Sequence, residues 1–157
     1  RNLRETRAIT YGARTAFEMR RAGGLFACDT SVDAAHAATA VTEVLSELRA
    51  VQADGAVTAA ELDLAQSSLT RGYVRHFETA AHLARALAEM ATLDLPDDTF
   101  DRFVPGILAV TPDAVARAAR AHLRPDEASV VVVTDISQHR ASLEGLGLPV
   151  VETTVTF

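Results

Sequence analysis

Arg4 and Tyr11 are the residues whose types and spacing best suit chemistry on a polar ligand. An arginine guanidinium is always charged and presents a fork of donors, while a tyrosine hydroxyl stays neutral well above physiological pH and presents one more donor. Together they suit an oxygen that gains negative charge, such as that of a scissile carbonyl. A structural alternative stays open on the residues alone: Arg4 pairs with Glu5 or another carboxylate, and Tyr11 merely begins a strand.

Other side chains that often carry catalysis lack the spacing that catalysis needs. The five histidines never recur at the four-residue helical spacing of a paired metal site, and the nearest pair, His76 and His82, lies six residues apart. The sequence contains neither a Gly-x-Ser-x-Gly nor a Ser-x-x-Lys motif. Cys28 is the single cysteine, which excludes an internal disulfide. We therefore predict no metal site and no catalytic residue in this chain.

Composition narrows the class of protein. The 157 residues include 15 Lys+Arg, all of them arginine, against 21 Asp+Glu, for a net charge of −6. Because phosphate binding needs a concentrated basic face and only Arg20 and Arg21 are adjacent, the sequence argues against nucleic-acid binding. No apolar run approaches the ~18 residues that span a bilayer. We expect a soluble bacterial protein, with cytoplasm and periplasm both open.

The first half of the chain predicts a hairpin followed by helices. Apolar and polar residues alternate from Tyr11 to Met19, the period of a half-buried strand, and Gly23-Gly24 supply a turn, so residues 11–32 should form an antiparallel hairpin. Helical periodicity then predicts a helix over about 34–53 with Asp33 as its N-cap. The capping box Thr58-Ala59-Ala60-Glu61 begins a second helix, and a third covers about 80–91.

The second half predicts shorter elements. A helix is expected over 98–108, and Thr111 followed by Pro112 begins another. The β-branched run 128–134 predicts a central strand, followed by a helix near 138–143 and a last strand at 150–155. The fold class is therefore α+β, with a mostly antiparallel sheet covered on one face by helices, in one domain over residues 1–157.

The opening stretch Leu3-Arg4-Glu5-Thr6-Arg7-Ala8-Ile9-Thr10-Tyr11-Gly12, with the hairpin after it, resembles the non-zinc half of the insulinase-type (pitrilysin-type) zinc metallopeptidases. The family pattern is Leu-Arg-Glu, a short basic spacer and Thr-Tyr, and it commonly has glycine where this chain has Ala8. Further motifs occur in the family's order, so the resemblance covers residues 1 to about 135. They are Phe77-Glu78-Thr79, Leu95-Pro96, Val110-Thr111-Pro112-Asp113, Leu123-Arg124-Pro125 and the run from Val130 to Asp135.

The resemblance implies a substrate-binding role for Arg4 and Tyr11. In the family this pair reaches the active site of the zinc-bearing half and binds or polarises the substrate peptide. It implies that zinc belongs to a partner domain or subunit, that this chain alone is inactive, and that its ligand is a peptide. We expect a domain incomplete at its N-terminus that belongs to a longer protein or associates with another copy. The alternative is a proteolytically inactive structural or assembly module, as in relatives that serve as scaffolds in respiratory complexes.

Overall fold

The computed structural model describes Leu3 and residues 8–153 of the chain. These residues form a two-stranded antiparallel sheet and six α-helices, which confirms the α+β class, and three short 3₁₀ helices lie at 34–36, 74–77 and 125–127. The elements are β1 (Thr10–Arg20), β2 (Gly23–Val32), α1 (Ala37–Ala50), α2 (Ala59–Tyr73), α3 (Ala80–Leu93), α4 (Thr99–Leu108), α5 (Pro112–His122) and α6 (Ile136–Glu144).

Two compact units share these elements, and each is described by itself. Within the described residues, the first unit comprises residues 8–15, 28–49 and 124–153, together with Leu3. The second comprises Ala16–Ala27 and Ala50–Leu123. The first unit therefore holds the open end of the hairpin, most of α1 and all of α6, while the second holds the hairpin tip and the helices from α2 to α5.

The predicted hairpin is confirmed, but its predicted half-burial is wrong. Gly23 follows the turn with φ 145°, a conformation that favours glycine, and the rings of Phe17 and Phe26 meet across the strands at 5.0 Å. However, every residue of β1 from Tyr11 to Arg20 is exposed. Alternation identifies the face that a strand would bury, and along β1 that face has no cover.

The predicted strand over 128–134 is also wrong. Residues 128–134 belong to no sheet, and Val131 and Val133 are exposed. A β-branched run favours a strand only where a neighbouring strand pairs with its main chain, and the hairpin is the one sheet in the described part of the chain. Residues 150–153 are likewise not a strand, and 154–157 lie outside the described residues.

The helices begin where the sequence predicts. The capping box is present, with Thr58 N donating to Glu61 Oε2 (2.9 Å) and Glu61 N donating to Thr58 Oγ1 (3.2 Å). Thr111 Oγ1 likewise accepts from Ala114 N at 3.2 Å and begins α5. The predicted N-cap Asp33 precedes the 3₁₀ turn before α1, but its side chain makes no capping hydrogen bond.

An aromatic cluster orders the helices of the second unit, in which α2 packs against α4. Tyr73 stacks on Phe103 with ring centroids 4.1 Å apart, and its hydroxyl donates to Phe100 O at 3.3 Å. Phe77 contacts both Tyr73 (5.3 Å) and Phe100 (5.2 Å) edge to face. Burial raises the pKa of the Tyr73 hydroxyl, with a smaller contribution from Asp101.

Two glutamines link helices of the second unit through main-chain carbonyls. Gln66 Nε2 on α2 donates to Ile107 O (2.9 Å) and Val110 O (3.1 Å) at the end of α4. Gln52 Nε2 donates to Leu123 O (2.9 Å) at the end of α5. The last carbonyls of a helix lack a partner within the helix, so the glutamines supply donors to Val110 O and Leu123 O, while Ile107 O also accepts from Val110 N.

The first unit has a small core and a well-capped last helix. Ala37, Ala40, Leu45 and Leu143 are buried there. Asp135 precedes α6 and accepts from Ser137 Oγ (2.7 Å), Gln138 Nε2 (2.7 Å) and Ser137 N (3.0 Å). These hydrogen bonds, that from the Ser137 side chain first, lower the pKa of the Asp135 carboxyl. No helix among the described residues combines the length and apolarity needed to cross a bilayer.

Replacing Gln66 tests its role in joining α2 to α4. Gln66→Met keeps the length of the side chain but removes its donors, so the free energy of unfolding should fall by about 1 kcal/mol as partly buried carbonyls lose this donor. Urea unfolding followed by circular dichroism measures the change. Gln138→Met, which removes a solvent-exposed hydrogen bond to Asp135, is the control and should have a smaller effect. Equal losses in both variants would contradict the role given to Gln66.

Asp135 should make α6 sensitive to acid. Because its pKa is lower folded than unfolded, its stabilising effect is present above the unfolded pKa, about 3.9, and is lost as pH falls through the folded value. Carbon-detected NMR titration of the carboxyl measures the folded pKa directly. In Ser137→Ala this pKa should move back up, and the stability of Asp135→Asn should depend less on pH in this range. An ordinary pKa in the unmodified chain would contradict the assigned hydrogen bonds.

Candidate functional site

Tyr11, the predicted substrate-binding residue that the structure places, lies at the start of β1 with its side chain in solvent. The residue is 100% exposed, and within the described part of the chain its hydroxyl makes no hydrogen bond. A tyrosine that served the core would bury its ring, as Tyr73 does against Phe103. The Tyr11 hydroxyl is therefore accessible to a molecule outside this chain.

The main chain around Tyr11 is held by two threonines. Thr10 Oγ1 donates to Ser31 O on β2 (2.7 Å) and accepts from Gly12 N (3.2 Å). Thr30 Oγ1 donates to Gly12 O at 3.0 Å and lies 3.0 Å from Thr10 Oγ1. These bonds fix the backbone on both sides of Tyr11 while leaving its side chain free. In the sequence, Thr10 stands out only as part of the Thr-Tyr motif, and Thr30 is not singled out.

Ala8 turns the chain into β1 in a strained conformation. Its φ is 52°, in the left-handed region that costs a residue with a Cβ about 1–2 kcal/mol. Next to it, Ile9 N donates to the carbonyl oxygen of the buried Leu3 at 3.0 Å. Ala8 occupies the position where the family resembled in sequence commonly has glycine, and a left-handed φ gives that preference a physical reason.

Arg4, the other predicted substrate-binding residue, lies outside the described residues. The structure therefore places one member of the pair, and the distance between Arg4 and Tyr11 stays a prediction. The seven-residue spacing in sequence is the basis for joining them.

The side chains of His82 and His76 contact neighbouring residues of the fold. His82 Nδ1 lies 2.8 Å from Arg75 O, and the His76 ring lies 5.7 Å from Tyr73. Among residue 3 and residues 8–153, no three His, Cys, Asp or Glu side chains come together as a metal site would require. The described residues thus do not fit a zinc ion.

Cys28 is half-buried on β2 and is a poor nucleophile. Burial raises the pKa of its thiol, and the neighbouring Asp29 carboxylate raises it further. Because the thiolate is the reactive form, both effects keep Cys28 unreactive near neutral pH.

Comparison with known proteins adds no relative to this picture. No protein-family model matches the chain, and a search of curated proteins finds no match either. A function for this chain is therefore inferred from its own residues and from the sequence resemblance.

Relieving the strain at Ala8 should stabilise the chain. Ala8→Gly removes the Cβ that disfavours φ 52°, so we expect the free energy of unfolding to rise by about 1 kcal/mol, less the entropy that glycine adds to the unfolded state. Thermal and urea unfolding measure the difference. Ala13→Gly, in the exposed part of β1, carries the same entropy change without strain and should destabilise. Destabilisation of similar size in both variants would contradict the strained turn.

Proposed function

We propose that this chain is the substrate-binding, non-zinc half of an insulinase-type zinc peptidase, in which Arg4 and Tyr11 bind the peptide substrate in an active site completed by another domain or subunit. The observation that carries the proposal is the fully exposed Tyr11 residue on a backbone fixed by Thr10 and Thr30. The spacing of Arg4 and Tyr11 within the opening motif supports it.

The chemistry of the pair suits a peptide carbonyl. A carbonyl oxygen that gains negative charge is stabilised by donors already in position, because no reorganisation is then needed as the charge develops. Tyr11 offers such a donor on a fixed backbone, and Arg4 would add a permanent positive charge. The pair would hold the substrate and withdraw charge from the scissile bond, while proton transfer would belong to the partner.

We place the zinc of the proposed enzyme in the partner, and the described residues of this chain support this placement. Their side chains do not gather as a metal site requires, so the metal of the proposed enzyme would belong to the zinc-bearing partner. Alone, the chain should bind peptide weakly and hydrolyse none.

A second candidate function is an inactive assembly module of the same fold. The exposed apolar side chains Phe17 and Met19, which lie on one face of β1 by alternation, favour it, since exposed apolar surface marks interaction sites. The coding region adjoining this sequence separates the two functions. A His-x-x-Glu-His helix encoded there favours the peptidase, and its absence favours the module.

The proposed pair is tested by peptide hydrolysis in the complex with that zinc-bearing polypeptide. Tyr11→Phe and Arg4→Ala should each lower kcat about 10²–10³-fold, the usual effect of losing one donor to a developing oxyanion. A fluorogenic peptide series measures turnover, and the zinc content of the complex should stay unchanged.

Matched controls come from the same residue types. Tyr73→Phe removes a hydroxyl that bonds Phe100 O, and Arg21→Ala removes a charge at the hairpin turn, so neither should change turnover per folded molecule. Unchanged hydrolysis in both Tyr11→Phe and Arg4→Ala would exclude the proposed role.

A further inference from the structure

Gly12, the residue that follows Tyr11, is a point at which the main chain of β1 needs restraint from other residues. Glycine has no Cβ and therefore the widest choice of backbone angles of any residue. The φ of Gly12 is not left-handed, and a Cβ added to it would meet no atom beyond its chain neighbours within 4 Å. Because neither backbone geometry nor close packing fixes Gly12, hydrogen bonds have to do so.

The hydroxyl groups of Thr10 and Thr30 form hydrogen bonds with both main-chain groups of Gly12. Each hydroxyl has one proton to donate. Thr10 Oγ1 accepts from Gly12 N at 3.2 Å, and the acceptor nearest to it is Ser31 O at 2.7 Å. With the Thr10 proton on Ser31 O, the proton of Thr30 serves Gly12 O, which lies 3.0 Å away. Thr30 therefore holds the carbonyl side of Gly12 from the opposite strand.

We propose that Thr30 is a positioning residue, which acts through Gly12 to hold Tyr11 where its hydroxyl meets the substrate carbonyl. This inference rests on the proposed function, because it concerns the same tyrosine. A donor stabilises a developing negative charge best from a position fixed in advance, and a displacement of about 1 Å can lower the rate about 100-fold. Thr30 is half-buried while Tyr11 is exposed, so a substrate can contact the tyrosine without contacting Thr30.

Nitrogen-15 relaxation of the unbound chain tests the restraint itself. Thr30→Val removes the hydroxyl but keeps the β-branched shape of the side chain, so the hairpin should still fold. The backbone order parameters of Tyr11 and Gly12 should fall from about 0.85 toward about 0.6. Thr30→Ser keeps a hydroxyl and should leave them high. The matched control is Thr15→Val, at an exposed threonine of β1 whose hydroxyl has no partner in the described part of the chain, and it should change neither value.

Hydrolysis of a fluorogenic peptide by the complex with the zinc-bearing polypeptide tests the consequence. Thr30→Val should lower kcat about tenfold with little change in KM, because a misplaced donor costs more in the transition state than in the bound substrate. Thr30→Ser should recover most of that loss. In a Tyr11→Phe background, Thr30→Val should have no further effect on kcat, because the hydroxyl that it positions is already absent.

The outcomes separate this inference from the proposed function. Unchanged order parameters in Thr30→Val, or a fall in kcat that is the same with and without the Tyr11 hydroxyl, would overturn the positioning role alone. Full turnover in Thr30→Val where Tyr11→Phe lowers kcat would overturn it too. Unchanged hydrolysis in Tyr11→Phe would instead exclude the role of Tyr11 in the proposed function, and the positioning role of Thr30 with it.

Discussion

The need to pair main-chain hydrogen-bonding groups governs this structure more than apolar burial does. The buried apolar residues are mostly alanines, such as Ala86, Ala116 and Ala119 in the second unit, and alanine buries little area. Helices that bury so little need other contacts to fix their positions. Gln52 and Gln66 supply these contacts by donating to the carbonyls at the ends of α5 and α4. A hydrogen bond has a defined direction and length, so it specifies helix positions that alanine contacts alone leave loose.

Among the described residues, the main-chain groups of Val130–Thr134 have no hydrogen-bond partner. In this respect the first unit differs from the second. In the second unit, side chains complete the helix ends and aromatic rings fill the space between α2 and α4. In the first unit, the extended segment 130–134 has no main-chain partner among the described residues, and Val131 and Val133 lie in solvent. Unpaired strands and exposed apolar side chains both favour association, so Val130–Thr134 is a part of the first unit where contact with another polypeptide would bring a gain.

Local signals predicted the elements well, and long-range contacts account for the failures. Hydroxyl caps at Thr58 and Thr111 and the glycines after the hairpin turn act within a few residues, and each begins or turns an element as predicted. Burial of β1 and pairing of 128–134 both require a neighbouring strand, which the sequence of the element itself does not encode. The hydrogen bonds from Gln66 to Ile107 and Val110 span about forty residues of sequence, and no local sequence pattern predicts them.

The backbone before Tyr11 is strained, and a tyrosine with a purely structural role would not require this strain. Ala8 has a left-handed φ, and the hydroxyl groups of Thr10 and Thr30 donate hydrogen bonds to main-chain oxygens that fix the adjacent backbone. The side chain so positioned then makes no packing contact that would offset this strain, since it is fully exposed. A strained turn and a fixed backbone beside an exposed donor are typical of preorganised binding sites. In such sites the binding groups are ordered during folding and not during binding. Because every residue of β1 from Tyr11 to Arg20 is exposed, the strained turn at Ala8 and the fixed backbone are what distinguish Tyr11 from the rest of the strand.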